Sequence, residues 1–595
     1  MCIACSPLMN ALQVRTSGLS RRFFMKGSAA AVLATGFTGG LTAFSCDDAS
    51  AQTATGDTLY VGGPILTMND SAPSAEAVLV RDGRIVAVGT RSELESHATA
   101  DAKTIDLGGK TLLPGFFDPH GHVVMIGLQA LSANLLPAPD GEGNDIAAIQ
   151  RLLRGWIEKN SAAIKRYKII VGFGYDDSQL QEQRHPTRDE LDAVSSDVPV
   201  VIIHQSSHLG VVNSKALELA GIDASTANPP GGAFRRREGS QEPNGVCEEG
   251  AFFQLVGKLF AGFDEEAYLA MIKAGASFCA SFGYTTVQEA RAMGVTTKML
   301  ATASAAGLLD VDVLVYPDIL DSAEDIKPAR DYVNRMRIGG AKLTIDGSPQ
   351  GKTAFLSEPY FVPPAGQGPD YVGYTAITKD QLNGAFDLAY GNNWQILTHA
   401  NGDAAIDWLI EAVEVATKKH GAGDRRSVLI HGQTTRQDQL PRLKAANILP
   451  SFFPMHTFYW GDWHRDSVLG PVRADGISPC ASARRLGMTF TSHHDAPVAN
   501  PDSMRVLSST VTRRTRSGDI LGPDERVDVM TALKAMTIWA AHQHYEEASK
   551  GSIEAGKLAD FVVLDRNPLE VDPETLSALK VVETIKQGKT VYRSS

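Results

Sequence analysis

Leu112-Leu113-Pro114-Gly115-Phe116-Phe117-Asp118-Pro119-His120-Gly121-His122 begins as an apolar strand and closes on two histidines separated by one glycine. Residues two apart on a strand point to the same face, so both imidazoles can grip one ion, and Gly121 removes bulk where the backbone must come close to it. Alone, the pair reads more readily as two histidines satisfying local hydrogen bonds; the segments downstream weigh against that. Short apolar runs over 112–117, 284–288, 311–316, 341–345, 394–398, 427–430, 448–453 and 488–491 alternate with helical stretches. Eight such strands with crossover helices predict an α/β protein built on a (β/α)8 (TIM) barrel, whose chemistry sits at the C-terminal strand ends. The gap 123–282 is too long for a barrel loop and is expected to hold an inserted subdomain after the first strand.

On either side of 113–550 the texture changes. Between 57 and 112 lie Thr58-Leu59-Tyr60-Val61, Ala77-Val78-Leu79-Val80 and Arg84-Ile85-Val86-Ala87-Val88-Gly89, the last two joined through Asp82-Gly83, a hairpin signal. Similar runs return in 551–595, at Asp560-Phe561-Val562-Val563-Leu564 and Val581-Val582-Glu583-Thr584-Ile585. Each block is too small to bury a core alone. The two are expected to pack as one composite β domain, 57–112 with 551–595, and the barrel 113–550 is then an insertion within it.

The later strands end as the first does, in Thr398-His399-Ala400, Ile430-His431-Gly432 and Ser492-His493-His494-Asp495. A barrel would bring these groups to one rim with His120 and His122, and imidazole and carboxylate are the ligands of hydrolytic zinc-type sites. Alternation lets at most one of His493 and His494 share the inward direction of Asp495, and favours His493. In Ala341-Lys342-Leu343-Thr344-Ile345-Asp346, a period of two sets Ala341, Leu343 and Ile345 against the helices and turns Lys342, Thr344 and Asp346 inward. A buried amine loses its proton readily and can take up carbon dioxide as a carbamate, an anionic ligand able to bridge two metals. The other reading of Lys342 is a lysine paired with Asp346 or reaching back to solvent. Phe458-Tyr459-Trp460 and Trp463 offer an aromatic pocket wall or the ordinary packing of a long loop.

With 43% hydrophobic and 21% charged residues, the 595-residue chain has the composition of a folded body rather than a disordered or coiled-coil one. Its 68 acidic residues exceed its 56 basic ones and no long Lys/Arg block occurs, so the electrostatic footprint of a nucleic-acid partner is missing. Residues 1–51 look like a twin-arginine signal peptide: Ser20-Arg21-Arg22-Phe23-Phe24-Met25-Lys26, an apolar run over 27–44, then Ala49-Ser50-Ala51 as a cleavage site. The partner during export is then the twin-arginine translocase, and the destination the periplasm or the exterior. Cys46 in Ala43-Phe44-Ser45-Cys46 is an alternative lipid-attachment site, although Ala43 stands where lipoprotein signals usually carry Leu. After cleavage Cys247, Cys279 and Cys480 remain, enough for at most one disulfide. No later stretch reaches the roughly 18 apolar residues of a membrane span, so the mature chain is expected to be soluble.

As a whole, the chain resembles the metal-dependent amidohydrolases, in particular the amidohydrolase family 3 branch that includes N-substituted formamide deformylases. The resemblance is carried by Leu113 through His122, Gly283-Tyr284-Thr285-Thr286-Val287, Lys342 through Ser348, His399-Ala400-Asn401-Gly402-Asp403, His431-Gly432-Gln433, Asp495-Ala496-Pro497-Val498 and Gly551 through Phe561. It implies a distorted barrel beside a composite β domain. It further implies His120 and His122 on one metal, His399 and His431 on a second, carbamylated Lys342 as the bridge, and Asp495 as ligand and base. One or two divalent ions, Zn²⁺ by default, would activate a water that hydrolyses a C–N bond, other than a peptide bond, in a small amide or formamide. Residues 207–217 resemble a family segment on the lid side of the pocket, where His208 is a candidate substrate contact; a structural or helix-capping role for His208 and Asn213 is equally economical. Ile430 and His494 depart from the family, which commonly has Glu or a small residue there, and this bears on substrate selection. A metal-dependent esterase, or an exported binding or regulatory protein without turnover, would share the fold; the intact His120, His122, His399, His431 and Asp495 count against the latter. A homo-oligomer is compatible with either.

Overall fold

A computed structural model describes residues 56–229, 232–364 and 366–595; the export leader expected over 1–51 lies outside the described residues. The chain divides into two compact units, one formed by 124–275 and the other by the described residues on either side of it.

In the larger unit, β1 (Phe116–Phe117), β2 (Tyr284–Ala292), β3 (Asp312–Pro317) and β4 (Met336–Ile338) form one parallel sheet. A second parallel sheet runs β5 (Ala341–Thr344), β6 (Ile396–Ala400), β7 (Val428–His431), β8 (Leu449–Phe452) and β9 (Thr491–Ser492). Ala341, Leu343 and Ile345 enter a core with Phe386, Ile406, Leu409 and Ile410 from helices Lys379–Gly391 and Asp403–His420, while Lys342 points the other way, toward His120. The first of those helices starts cleanly because Thr378 and Gln381 form a reciprocal capping box, which satisfies two otherwise unpaired backbone donors.

Among the described residues these parallel strands form two open arcs and not a closed barrel. A single parallel bridge, Asp318 to Lys342, spans one gap. At the other, the Asp495 N–H donates to His120 O and the His122 N–H to Ala496 O, with no ladder between β1 and β9. The reason is local: β1 and β9 are two residues long each, and Phe117 donates its N–H to Met536 O rather than to a neighbouring strand. The predicted strand 112–117 is also two elements. Thr111–Pro114 pairs antiparallel with Phe561–Leu564 in a six-stranded sheet made from both chain ends, and only Phe116–Phe117 joins the barrel arc. A four-stranded sheet beside it contains the predicted hairpin, with Asp82 and Gly83 both at positive φ (49° and 74°), as a two-residue turn of the right twist requires.

Buried charges tie the C-terminal sheet to the first parallel arc. Asp312, at the start of β3, accepts from Lys550 Nζ and Lys586 Nζ at 2.6 Å each, and Lys586 also reaches Asp560 at 2.7 Å. Lys550 and Arg337 both pair with Glu546, at 2.5 Å each.

The smaller unit is a six-stranded mixed sheet in the spatial order Gly232–Arg236, Pro243–Glu249, Leu209–Val212, Val200–His204, Ile170–Tyr175, Ala133–Asn134. Ile149 and Leu153 of helix Ile146–Lys159 cover it together with Leu191. Cys247, Cys279 and Cys480 are free and buried. Among the described residues no helix is long and apolar enough to cross a membrane.

Candidate metal centre

The strand ends of the larger unit converge on one buried cluster. His120 and His122 leave β1 through a turn in which any side chain at position 121 would meet Asp118 Oδ2 at 2.4 Å and His494 Cε1 at 2.9 Å, so only glycine fits. Lys342 lies within β5, His399 is the penultimate residue of β6 and His431 the last of β7. His431 and Asp495 sit at φ 72° and 51°, a left-handed backbone that costs a non-glycine residue about 1–3 kcal/mol and that clusters at functional sites.

The donor atoms face one another at short range. Asp495 Oδ1 lies 3.1 Å from His122 Nε2 and 3.3 Å from His120 Nε2. Lys342 Nζ is 3.5 Å from His120 Nε2, and His399 Nδ1 is 3.1 Å from His431 Nε2. Ligand atoms of His120, His431 and Asp495 all fall within 4.8 Å of one another. With metal–nitrogen bonds of about 2.0–2.1 Å, neighbouring ligands of a tetrahedral ion stand about 3.3–3.4 Å apart, close to these separations. The donor set therefore fits a divalent ion. Burial first, and neighbouring imidazoles and Lys342 second, hold His120, His431 and His493 well below the ordinary histidine value, leaving neutral rings with lone pairs to offer. Burial acts on His122 in the same sense, but the Asp495 and Glu289 carboxylates outweigh it and push His122 up to about 9.

A layer behind the cluster orients it. His399 Nε2 donates to Gly347 O at 3.1 Å, and Asp346 accepts from the backbone N–H groups of Asn401, Gly402 and Phe355, fixing the loop that carries that carbonyl. Glu289 Oε1 faces His122 Nδ1 at 3.8 Å. This carboxylate escaped the sequence reading because β2 was expected to end at 288; the strand runs on to Ala292, and its register shifts beyond Glu289. His493 lies in the cluster beside His431, whereas His494 turns away, its Nδ1 accepting the Ala496 N–H and its Nε2 lying 3.4 Å from Asp118.

His208 belongs to the smaller unit, where its Nδ1 is 3.0 Å from both oxygens of Glu249; Asn213 caps helix Ser214–Ala220 through the Ala216 N–H. The same unit holds a second close group, Asp176, Asp177 and His204. There the Ser206 N–H donates to His204 Nδ1, which leaves the ring proton on Nε2, 3.1 Å from Asp177. Burial opposes the charge on His204, yet the Asp176 and Asp177 carboxylates outweigh it and push it up to about 9. The aromatic run lies on helix Met455–Trp463, with Tyr459 buried and Trp463 half exposed.

A model of the amidohydrolase family matches residues 103–592, and one of the bacterial imidazolonepropionase-like composite domain matches 77–98. The chain is 28% identical over 550 residues to the N-substituted formamide deformylase of Arthrobacter pascens, covering 90% of this chain and 98% of that one. It is 27% identical to the putative amidohydrolase YtcJ of Bacillus subtilis (strain 168), with 90% and 99% covered. An uncharacterised metal-dependent hydrolase from Pyrococcus horikoshii OT3 shares the fold at a TM-score of 0.70 and 24% identity, over 87% of this chain and 99% of that one.

Proposed function

Because the chain belongs to the amidohydrolase family, we propose that it is a metal-dependent hydrolase that cleaves a C–N bond of an amide or formamide. The observation that carries this reading is the set of buried donors of His120, His122, His399, His431 and Asp495, spaced by 3.1–3.3 Å like the ligands of a tetrahedral ion. The two parallel arcs are then the halves of one distorted (β/α)8 barrel, with the composite β domain at 57–112 and 551–595 and the insertion at 123–282.

His120 and His122 would hold one ion with Asp495, and His399 and His431 a second, with Zn²⁺ the default for this donor chemistry. The chemistry supplied by a bound ion is Lewis acidity, which lowers the pKa of an attacking water and stabilises the oxyanion that develops on the carbonyl. Lys342 would serve as a carbamate: its neutral Nζ would bond to the carbon of CO₂, one C–O π pair moving onto oxygen and the nitrogen's proton passing to water, which would turn a buried amine into an anionic oxygen ligand. Asp495 takes the proton from the attacking water and returns it to the leaving nitrogen. Its burial excludes bulk water from that transfer. Export by the twin-arginine route, to the periplasm or beyond, completes the reading.

Metal analysis of the purified protein, followed by parallel assays of N-formyl, N-acyl and cyclic amides against the matching esters, tests it. Amide turnover that disappears with chelation and returns with a divalent ion is the expected result. Turnover of esters alone, or metal bound without turnover of any amide, rejects it.

A further inference from the structure

His493 is held more completely than any role above requires. Its Nε2 lies 3.0 Å from His431 Nδ1 and its Nδ1 lies 2.9 Å from Ser451 Oγ. One face of the ring stacks on Phe453, with centroids 5.0 Å apart and planes 28° from parallel. Its backbone N–H donates to Phe452 O, so Ser451, Phe452 and Phe453 grip both the main chain and the imidazole. With both nitrogens engaged, His493 is badly placed to serve as the base.

The proton positions follow from the end of the chain of rings. His399 Nε2 faces two acceptors, Gly347 O at 3.1 Å and Asp346 Oδ1 at 3.4 Å, and the Asn401 amide nitrogen 3.1 Å away already donates to Gly347 O at 2.9 Å, so we place the His399 proton on Nε2, which turns the Nδ1 lone pair toward His431 Nε2 across 3.1 Å. For His431 to offer Nε2 to an ion, its own proton must lie on Nδ1, and the acceptor within reach of that proton is His493 Nε2. His493 then carries its proton on Nδ1 and donates it to Ser451 Oγ.

We propose that His493, braced by Ser451 and Phe453, is the positioning residue that fixes the ring plane and tautomer of His431 for the ion shared with His399. The inference rests on the metal reading above and adds to it a residue with one task and one predicted site of action.

Stepwise metal affinity, measured by chelator competition on the full-length protein, tests it. Loss of such a supporting hydrogen bond typically weakens metal binding roughly 10–100-fold. His493→Ala should weaken one of the two ions by that factor and leave the other within about twofold. His493→Gln, whose carbonyl can accept from His431 Nδ1–H, should recover most of the loss, and Ser451→Ala should weaken the same ion by less. Adding His493→Ala to His431→Ala should weaken binding no further, because the brace then has nothing to orient. A wild-type protein that takes up no divalent ion overturns both this inference and the proposed function. A wild-type protein that binds two ions, with Ser451→Ala and His493→Ala both at wild-type affinity or with an additive double variant, overturns the brace alone. Should His493→Ala fail to fold, the Ser451→Ala and His493→Gln measurements still decide.

Discussion

Oδ1 of Asp495 stands 3.1 Å from Nε2 of His122, across the gap between β1 of one parallel arc and β9 of the other. The contact joins residues 373 positions apart and brings a carboxylate oxygen beside an imidazole nitrogen at the spacing of two ligands of one ion. Asp495→Asn keeps the size and most hydrogen bonds but removes the basic oxygen. We expect it to fold, to retain at least one ion, and to lose turnover by about 10²–10⁴-fold, while His494→Asn, on the far side of the turn, changes rate less. Near wild-type amide turnover by Asp495→Asn would reject the assignment.

Lys342→Ala should lose metal and activity together, because the shared anion is gone, and short-chain carboxylic acids should restore part of both. Lys342→Arg cannot form a carbamate and should fail like the alanine variant. A fully active preparation with one ion per chain would leave Lys342 a structural residue.

Glu546 sets an acid limit on stability. Burial works against its charge, but Lys550 and Arg337 outweigh that and lower its carboxyl from 4.5 to about 2. A depressed carboxylate contributes stability that is present above its unfolded value and lost as protons bind the folded form. The urea midpoint should therefore hold above about pH 4.5 and fall between there and pH 2. Glu546→Gln should start less stable, by about 3–5 kcal/mol for a broken buried pair, and fall less steeply over that window. An unchanged acid slope in the variant would show that other groups set the limit.

Replacing Arg21 and Arg22 together by Lys should strand the protein in the cytoplasm, since twin-arginine leaders are read as addresses. Fractionation and immunoblotting measure this. Normal periplasmic accumulation of the double variant would remove the export proposal.

Much of the candidate site was legible because its histidines fall at the ends of apolar runs. His120, His122, His399 and His431 each follow or close such a run, and strand alternation alone turned Lys342 inward and preferred His493 to His494. Glu289 was not legible, because the apolar run that marks β2 stops at 288, whereas the strand, still in register with β3 at Glu289, runs on to Ala292.

The amino-acid sequence by itself determined the α/β alternation, the hairpin at Asp82-Gly83 and the identity of most of the side chains that cluster at the strand ends, since these depend on local periodicity and residue chemistry. Only the tertiary structure decided that the barrel stays open at both gaps, that Thr111–Pro114 leaves it for the composite sheet, and that His431 is backed by His493 and Ser451. Those outcomes depend on which donors and acceptors meet across hundreds of residues, as Phe117 meets Met536, and short-range pattern carries no record of that competition.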